Sequence, residues 1–390
     1  MHNIAFDDTF AQRFLTAQML TDAGAIIPLV EDIKSALTGF DNGVFASHVE
    51  RAKLLAAAER LIIAAREPEE YLYFTATQNA QNAAIRSAIG LDAFRLIPDD
   101  GTSVSVQELA KKTGADERLI TSRAFLKEQN RDMFQQMYDF VGKGTYALPH
   151  FFERTNWKNP NDYHDSAFHL GQNTKLGFWE YLKEDPERMR LFNSGMRSVA
   201  TIGGEKKSSG PFPFETLVGS DPSQQITIVD VGGGRGQALE AIHENYPSIK
   251  WNMILQDQPG VVADAKEKGL PAYIEGQGAS FFEPQTVKGA HVYIFRRIFH
   301  DWNDQDSQTI LEQTRSALSP SSRILIFDTV VPNVKAPRDL ALQDLNMMSF
   351  AGMERTERQW EDLLKASGLR LVKYWRSNVT KHAVIEASLP

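Results

Sequence analysis

The stretch Ile226–Gly236, ITIVDVGGGRG, leaves this chain few folds to choose from. Ile226, Ile228, Val229 and Val231 give a short apolar run with no polar face, the pattern of a strand buried on both sides in a parallel sheet. The run takes in Asp230 and meets Gly232, Gly233, Gly234 and Gly236, which let the backbone adopt positive φ and let a ligand approach it. Gln237–Tyr246 has helical character and stops at Pro247. Strand, glycine turn and helix N-terminus together form a nucleotide-type cradle. Strands and helices then alternate. Strands are expected at 251–256, 272–275, 291–295 and 323–331, and helices at 261–268 and 304–318. Thr356–Gln359 is a capping box opening a helix with Trp360, Leu363 and Leu364 inward, closed by Gly368. Segments 371–375 and 382–387 read as a final antiparallel pair. Such alternation predicts a parallel sheet with helices on both faces and ligands at the carboxyl ends of its strands.

The glycine turn departs from the dinucleotide fingerprint G-x-G-x-x-G, because the third position is Gln237 and a glycine falls one residue early at Gly236. An acid two residues before the first glycine repels phosphate and suits a cation. S-adenosylmethionine carries an ammonium and a sulfonium and no phosphate. Asp257 ends the next strand, where a ribose hydroxyl pair would be held. The bland alternative is a tight turn with no ligand.

The 390 residues suffice for two domains. The first 90 read as helical throughout, with Ile26, Val30, Ile33 and Leu37, then Leu54, Ala58, Leu61, Ile62 and Ala65, at helical spacing, and Tyr71–Ile89 running to a C-cap at Gly90. Packing against another subunit is one reading of so much apolar face, and an ordinary helical domain is the other. Val104–Phe134 has the pattern of a helix-turn-helix with its turn at Gly114. Its second helix carries Asp116 and Glu117 against Arg118 and Arg123, and the chain's net charge is −8. Both disfavour DNA and favour a winged helix used for packing. Gly142–Gly144 and 156–162 look like loops, and 202–223 looks like a linker or mobile loop. The chain has no cysteine, which excludes disulfides and thiolate chemistry. Met1–Phe10 has no basic segment followed by an apolar core, and no apolar run approaches the ~18 residues of a membrane span. A cytoplasmic protein is expected.

The fourth strand of the alternating region runs into Arg296-Arg297-Ile298-Phe299-His300-Asp301-Trp302, which puts His300 at the ligand rim. Asp328 lies at the same rim, and Glu354 follows in a loop after Met347 and Met348. A histidine flanked by two carboxylates is a candidate oriented base. The plain alternatives are a surface histidine, solvated acids and core methionines. No cluster with metal-ligand spacing is visible, so no metal is expected.

Taken together, VDVGGGRG, QDQPG, the FNSGM element around Phe192 and Met196, RRIFHDW, FDTVVP and GMERTERQW resemble the S-adenosylmethionine-dependent O-methyltransferases of the plant caffeic acid type and of fungal secondary metabolism. That family also includes methyltransferase-like pericyclases. The resemblance covers nearly the whole chain. It implies an α/β fold: a Rossmann-like class I methyltransferase domain with a mixed seven-stranded sheet over 166–390. It also implies an N-terminal all-α dimerisation and winged-helix domain over 1–165, and hence a homodimer. Gly232 and Gly234 would approach the methionine part of the cofactor, with Asp230 beneath it and Asp257 on the ribose. Ser280 and Phe281 would face the adenine, Trp302 would flank it, and Arg296 would contact the cofactor. Met196 would lie near the reactive methyl. His300 would be the base, Asp328 and Glu354 would hold its ring, and Asp301 would fix the loop beside the acceptor. Phe178, Trp179, Met347 and Met348 would line an apolar acceptor pocket with Met196. Ser280 stands where the family usually has an acid, and Asp328 is shorter than the usual glutamate. The implied activity is methyl transfer to a phenolic or enolic hydroxyl. The alternative is a pericyclic reaction on the same scaffold.

Overall fold

A computed structural model describes residues 23–37, 40–41, 44–45 and 48–65, short pieces between 78 and 96, and 106–113. From 128 it describes the whole chain apart from 203–208, 220–222, 334–335, 337 and 377–381. The chain divides into two compact units, Met1–Arg131 and Asp132–Pro390.

In the first unit, helices α1 (Ala23–Leu37) and α2 (His48–Ala65) flank a hairpin of β1 (Phe40–Asp41) and β2 (Val44–Phe45). The register pairs Phe40 with Phe45. The expected all-helical segment therefore contains two strands, too short for any period-2 pattern to register. Asn42-Gly43, the residues favoured in a two-residue hairpin loop, was the available cue. Ile26, Val30 and Ile33 are half-buried, whereas Leu37 and Ile62 of the expected stripes are exposed. Helix α3 (Val106–Thr113) is the first helix of the expected helix-turn-helix. Its second helix lies outside the described residues, as does most of 71–89.

Helix α4 (Glu128–Gln136) leads through a π turn, Met137–Val141, into α5 (Gly142–Arg154). The expected loop at Gly142–Gly144 is thus helix. A Cβ on Gly144 would stand 3.2 Å from Phe168 Cα and 3.3 Å from the Ser349 side chain. The glycine serves close packing there and not a turn. Helices α6 (Ala167–Gln172), α7 (Phe178–Lys183) and α8 (Pro186–Ile202) follow.

The sheet comprises β3 (Ile226–Val231), β4 (Trp251–Asp257), β5 (Ile274–Gly278), β6 (Val292–Arg296), β7 (Arg323–Val331), β8 (Arg355–Thr356), β9 (Arg370–Arg376) and β10 (His382–Ser388). Their order is β5-β4-β3-β6-β7-β10-β9, with the two-residue β8 paired to β7. Strands β3 to β7 are parallel, and β10 runs antiparallel between β7 and β9. The expected mixed seven-stranded sheet is present, with β8 as an addition. After β5 the chain crosses to the other side of β3, so the strand order switches direction between β3 and β6. A crevice opens outside the strand ends at such a switch.

Side chains of one strand supply two cores because they alternate. Tyr293 and Phe295 join Val229, Leu311, Trp360 and Ile385 on one face of the sheet. Val292 and Ile294 join Ile228, Leu255, Leu239 and Val384 on the other. Helices α9 (Gln237–Asn245) and α10 (Pro259–Glu267) cover the second face, and α11 (Asp304–Arg315) and α13 (Glu357–Ala366) the first. Phe212 and Phe214 also sit in the second core, almost without exposure. Part of the expected linker is therefore anchored by two rings, each contributing about 1.5–3 kcal/mol of burial. The Gly, Ser and Pro around them concealed that role. Helix α12 (Arg338–Met348) was not anticipated.

Candidate active site

Asp230 points its carboxylate beneath the glycine turn and is fully buried. Neither of its oxygens has a hydrogen-bond partner among the described residues. Burial and then the nearby Asp257 raise its pKa to about 7 against the lowering effect of Arg296. Gly232, Gly234 and Gly236 take φ values of 75°, 60° and 87°. A Cβ on Gly233 would come within 2.3 Å of Asp230 Oδ2 and 2.5 Å of Leu255 Cδ1. Asp257 accepts from the backbone N–H of Gly234 at 2.9 Å and of Gln258 at 2.7 Å. Burial raises its pKa, while these N–H groups and Lys183 pull it down. A small cavity opens between Gly232, Asp257, Gln258, Ser280, Phe281 and Gln285. The rings of Phe281 and Phe282 meet Trp302 edge-on at 6.0 and 4.8 Å. Gly232, Asp257, Ser280, Phe281 and Trp302 thus line or adjoin one pocket at the ends of β3 to β5. Gly233→Ala has to displace either Asp230 or the turn. Calorimetry with S-adenosylhomocysteine is expected to show at least about tenfold weaker binding, since a backbone shift here removes the close approach that the glycines allow.

His300 lies on a short 3-10 turn, Phe299–Asp301, after β6. Its Nδ1 is 3.0 Å from Glu354 Oε1. Glu354 also accepts from Gln343 at 2.6 Å and is buried. Asp328 contacts His300 differently from expectation. Its Oδ2 accepts from the backbone N–H of His300 at 3.2 Å, and its Oδ1 is 3.9 Å from the ring Nδ1. Glu354 hydrogen-bonds the ring, and Asp328, buried within β7, holds the backbone and adds its charge beside Nδ1. Asp301 lies 3.7 Å from Nε2. Burial by itself depresses the pKa of His300, yet Asp328, Asp301 and Glu354 outweigh it and carry it to about 10. Burial raises Asp301 to about 7, with His300 opposing. For Glu354, burial works upward, but the His300 hydrogen bond and charge bring it below its usual value. Donor atoms of His300, Asp328 and Glu354 lie within 4.8 Å of one another, a set able to hold a metal ion. No ligand spacing betrays it in the sequence, because the three come from separate segments.

Arg355 escaped the sequence reading. It has no exposed surface and donates to the carbonyls of Phe299 at 2.7 Å and Trp302 at 2.9 Å. It also donates to Ser307 Oγ and pairs with Asp304 at the start of α11. Both ends of the turn carrying His300 and Asp301 are thereby tied to the residue after Glu354. Arginine is almost never fully buried unless paired, so its type argued against such a place. Gly352 and Met353 press the same loop onto His300: Met353 N–H donates to the His300 carbonyl at 2.9 Å.

The expected acceptor wall separates into two parts. Phe178, Trp179, Phe192 and Met347 belong to one cluster, in which Phe178 stacks on Phe350 at 4.5 Å and Trp179 meets Phe192 at 5.1 Å. The Trp179 indole nitrogen is buried with no partner among the described residues. Met348 packs instead against a different cluster, that of Leu148, Phe151 and Ala167. Adjacent helical residues point about 100° apart, so Met347 and Met348 cannot share a wall. Met196 is half-buried on α8 and follows Gly195, whose Cβ position is 2.8 Å from Gln136 Oε1.

Fold and site define a class: an enzyme with a mixed doubly wound sheet, a glycine cradle and a histidine ringed by carboxylates. The O-methyltransferase domain family matches residues 158–370. O-methyltransferase GME11366 of Pestalotiopsis microspora is 42% identical over 400 residues, covering 95% of this chain and 98% of that protein. Solved structures with the same fold include LepI in complex with SAM, at TM-score 0.80, 25% identity and coverage of 95% and 100% of the two chains. Another, described as a pericyclic reaction enzyme, is also 25% identical, with TM-score 0.80 and the same coverage. The chain belongs to the O-methyltransferase family and is an enzyme of that kind.

Proposed function

We propose that this enzyme moves the methyl group of S-adenosylmethionine to a phenolic or enolic hydroxyl of an aromatic or polyketide-like small molecule in secondary metabolism. The observation carrying this reading is His300, hydrogen-bonded to buried Glu354 at 3.0 Å, on the turn after β6, which pairs with β3, the strand that leads into the glycine cradle. The cradle suits the cofactor: Asp230 offers a cationic group two buried oxygens that have no partner among the described residues. Asp257 would hold the ribose hydroxyls, Gly232 and Gly234 the methionine part, Ser280, Phe281 and Trp302 the adenine end, and Arg296 would balance Asp230. Bound there, the cofactor supplies a methyl group on a positively charged sulfur. Trp179, Met196 and Met347 would hold the acceptor.

With Nδ1 engaged by Glu354, Nε2 is the nitrogen left to take the acceptor's proton. A phenol has a pKa near 10 and an ordinary histidine one near 6.5, a mismatch of about 5 kcal/mol at 1.36 per unit. Raised well above its ordinary value by Asp328, Asp301 and Glu354, His300 narrows that mismatch. The same shift makes the neutral ring the minor form near pH 7. A charged imidazolium donates a hydrogen bond instead of accepting a proton, and this favours one second reading, a non-methylating pericyclic reaction with His300 as donor.

Incubating the enzyme with methyl-labelled cofactor and a panel of phenols, and weighing the products, separates the two. One added methyl group is expected, and an isomer of unchanged mass supports the second reading. For methyl transfer, kcat/KM is expected to rise with pH through the neutral range towards about 10, as the base loses its proton. In Glu354→Gln the rise should begin at lower pH, because a carboxylate that stabilises the charged ring is gone. A rate that falls with rising pH rejects His300 as base. We further propose that the segment 1–165 pairs two copies of the chain, and that 166–390 carries catalysis. Exposed Ile27, Leu37, Leu55 and Ile62 support that pairing. No nucleic-acid partner is proposed, and the cytoplasm is the proposed compartment. Among the described residues no helix is long and apolar enough to cross a membrane.

A further inference from the structure

We propose that Tyr163 is a positioning residue that couples the acceptor wall to the loop carrying His300 and Trp302. The proposal rests on the reading that Trp302 borders the cofactor and Trp179 the acceptor. Tyr163 is presented by a tight turn in which Asp162 bridges Asp165 and accepts from His164 N–H at 2.8 Å. Arg154 clamps Asp165 to α5. The Tyr163 ring lies against Trp302, centroids 5.4 Å apart and tilted by 34°. Its hydroxyl accepts the backbone N–H of Trp179 at 2.8 Å. That N–H belongs to the first turn of α7, where helix geometry supplies no partner.

The fit depends on one glycine. A Cβ on Gly177 would fall 2.1 Å from Tyr163 Cε1 and 2.7 Å from its hydroxyl, so any larger residue expels the ring. Gly177 N–H in turn donates to Glu180 at 3.0 Å, which holds the α7 start in place. Burial pushes the Tyr163 phenol up to about 12, so it remains protonated at every working pH. A continuous path results. Phe281 at the small cavity touches Trp302, Trp302 touches Tyr163, and Tyr163 holds Trp179, whose ring faces Phe192. Filling the cofactor pocket and seating Trp302 therefore orders α7 through Tyr163 and completes the acceptor wall.

Tyr163→Phe removes only the hydroxyl and keeps the ring on Trp302. In hydrogen exchange on the free protein, residues 177–183 should exchange about five- to tenfold faster in this variant, the scale of one lost hydrogen bond. Residues 299–305 should be unchanged. Saturating S-adenosylhomocysteine should slow exchange in both segments of the wild type, but only in 299–305 of the variant. In turnover, the KM for the phenol acceptor should rise by a similar factor with kcat within about twofold, since an ordering role acts on binding. Tyr163→Ala should weaken S-adenosylhomocysteine binding as well. Equal exchange at 177–183 in wild type and Tyr163→Phe overturns the proposal, as does an equal fall in kcat and kcat/KM. The free-protein exchange needs neither cofactor nor acceptor, so its result stands even where the methyl-transfer reading fails.

Discussion

Exchanging His300 for glutamine is expected to lower methyl transfer by about 10²–10⁴-fold, the usual contribution of a positioned general base. Glutamine is preferable to alanine here. Removing the ring outright takes from Asp301, Asp328 and Glu354 the positive charge they share and from Glu354 the ring nitrogen it binds. Some would then take up protons, and some stability would be lost with them. A glutamine amide can still donate to Glu354. Calorimetry with S-adenosylhomocysteine should give affinity within about threefold of wild type, because the cradle at Asp230 and Asp257 does not include the ring. Retained turnover in His300→Gln, with product mass raised by one methyl, would remove His300 from the chemistry. Stability should follow the same group. Its folded pKa lies above its unfolded one, so its stabilising contribution is complete below about 6.5 and is lost as pH rises through about 10.

Arg355→Leu should be the most damaging substitution outside the reacting groups. The guanidinium serves the carbonyls of Phe299 and Trp302, the Ser307 hydroxyl and the Asp304 carboxylate, all at once. Leucine fills part of the space and leaves the two carbonyls without that donor. Asp304 is largely exposed, so the loss lies in the two charged hydrogen bonds to buried carbonyls, about 1.5–3 kcal/mol each. For a unit of this size that corresponds to a melting temperature lower by roughly 10 °C. Calorimetric scanning reads it directly, and a midpoint within 2 °C of wild type would show that the turn holds itself. Arg355→Lys retains the charge but not the fork, and it should recover less than half of the loss.

Much of the fold could be read from the chain because its signals are local. β7 runs over Arg323–Val331, as its apolar run indicated. The Thr356–Gln359 capping box forms, with Gln359 Oε1 accepting from Thr356 N–H at 2.8 Å, and Trp360, Leu363 and Leu364 turn inward as the spacing required. Other features misled for equally physical reasons. Gly144 looked like a loop residue and proved to be a contact point between helices, a role set by what lies opposite it. Phe212 and Phe214 were hidden in a segment whose composition resembles a linker. Met348 was grouped with Met347 by adjacency, whereas a helix turns neighbours to different clusters.

By itself the sequence determined the parallel sheet, the glycine cradle with Asp230 and Asp257, and the placing of His300 at the strand ends. Periodicity, turn chemistry and helix stops act over a few residues, and a linear reading captures them. Tertiary structure alone decided which acid grips the ring, that Arg355 braces its loop, and that Tyr163 links Trp302 to Trp179. Those partners lie far apart along the chain and meet through strand order and burial. A proton affinity set by three converging carboxylates exists only once the fold has brought them within a few ångströms.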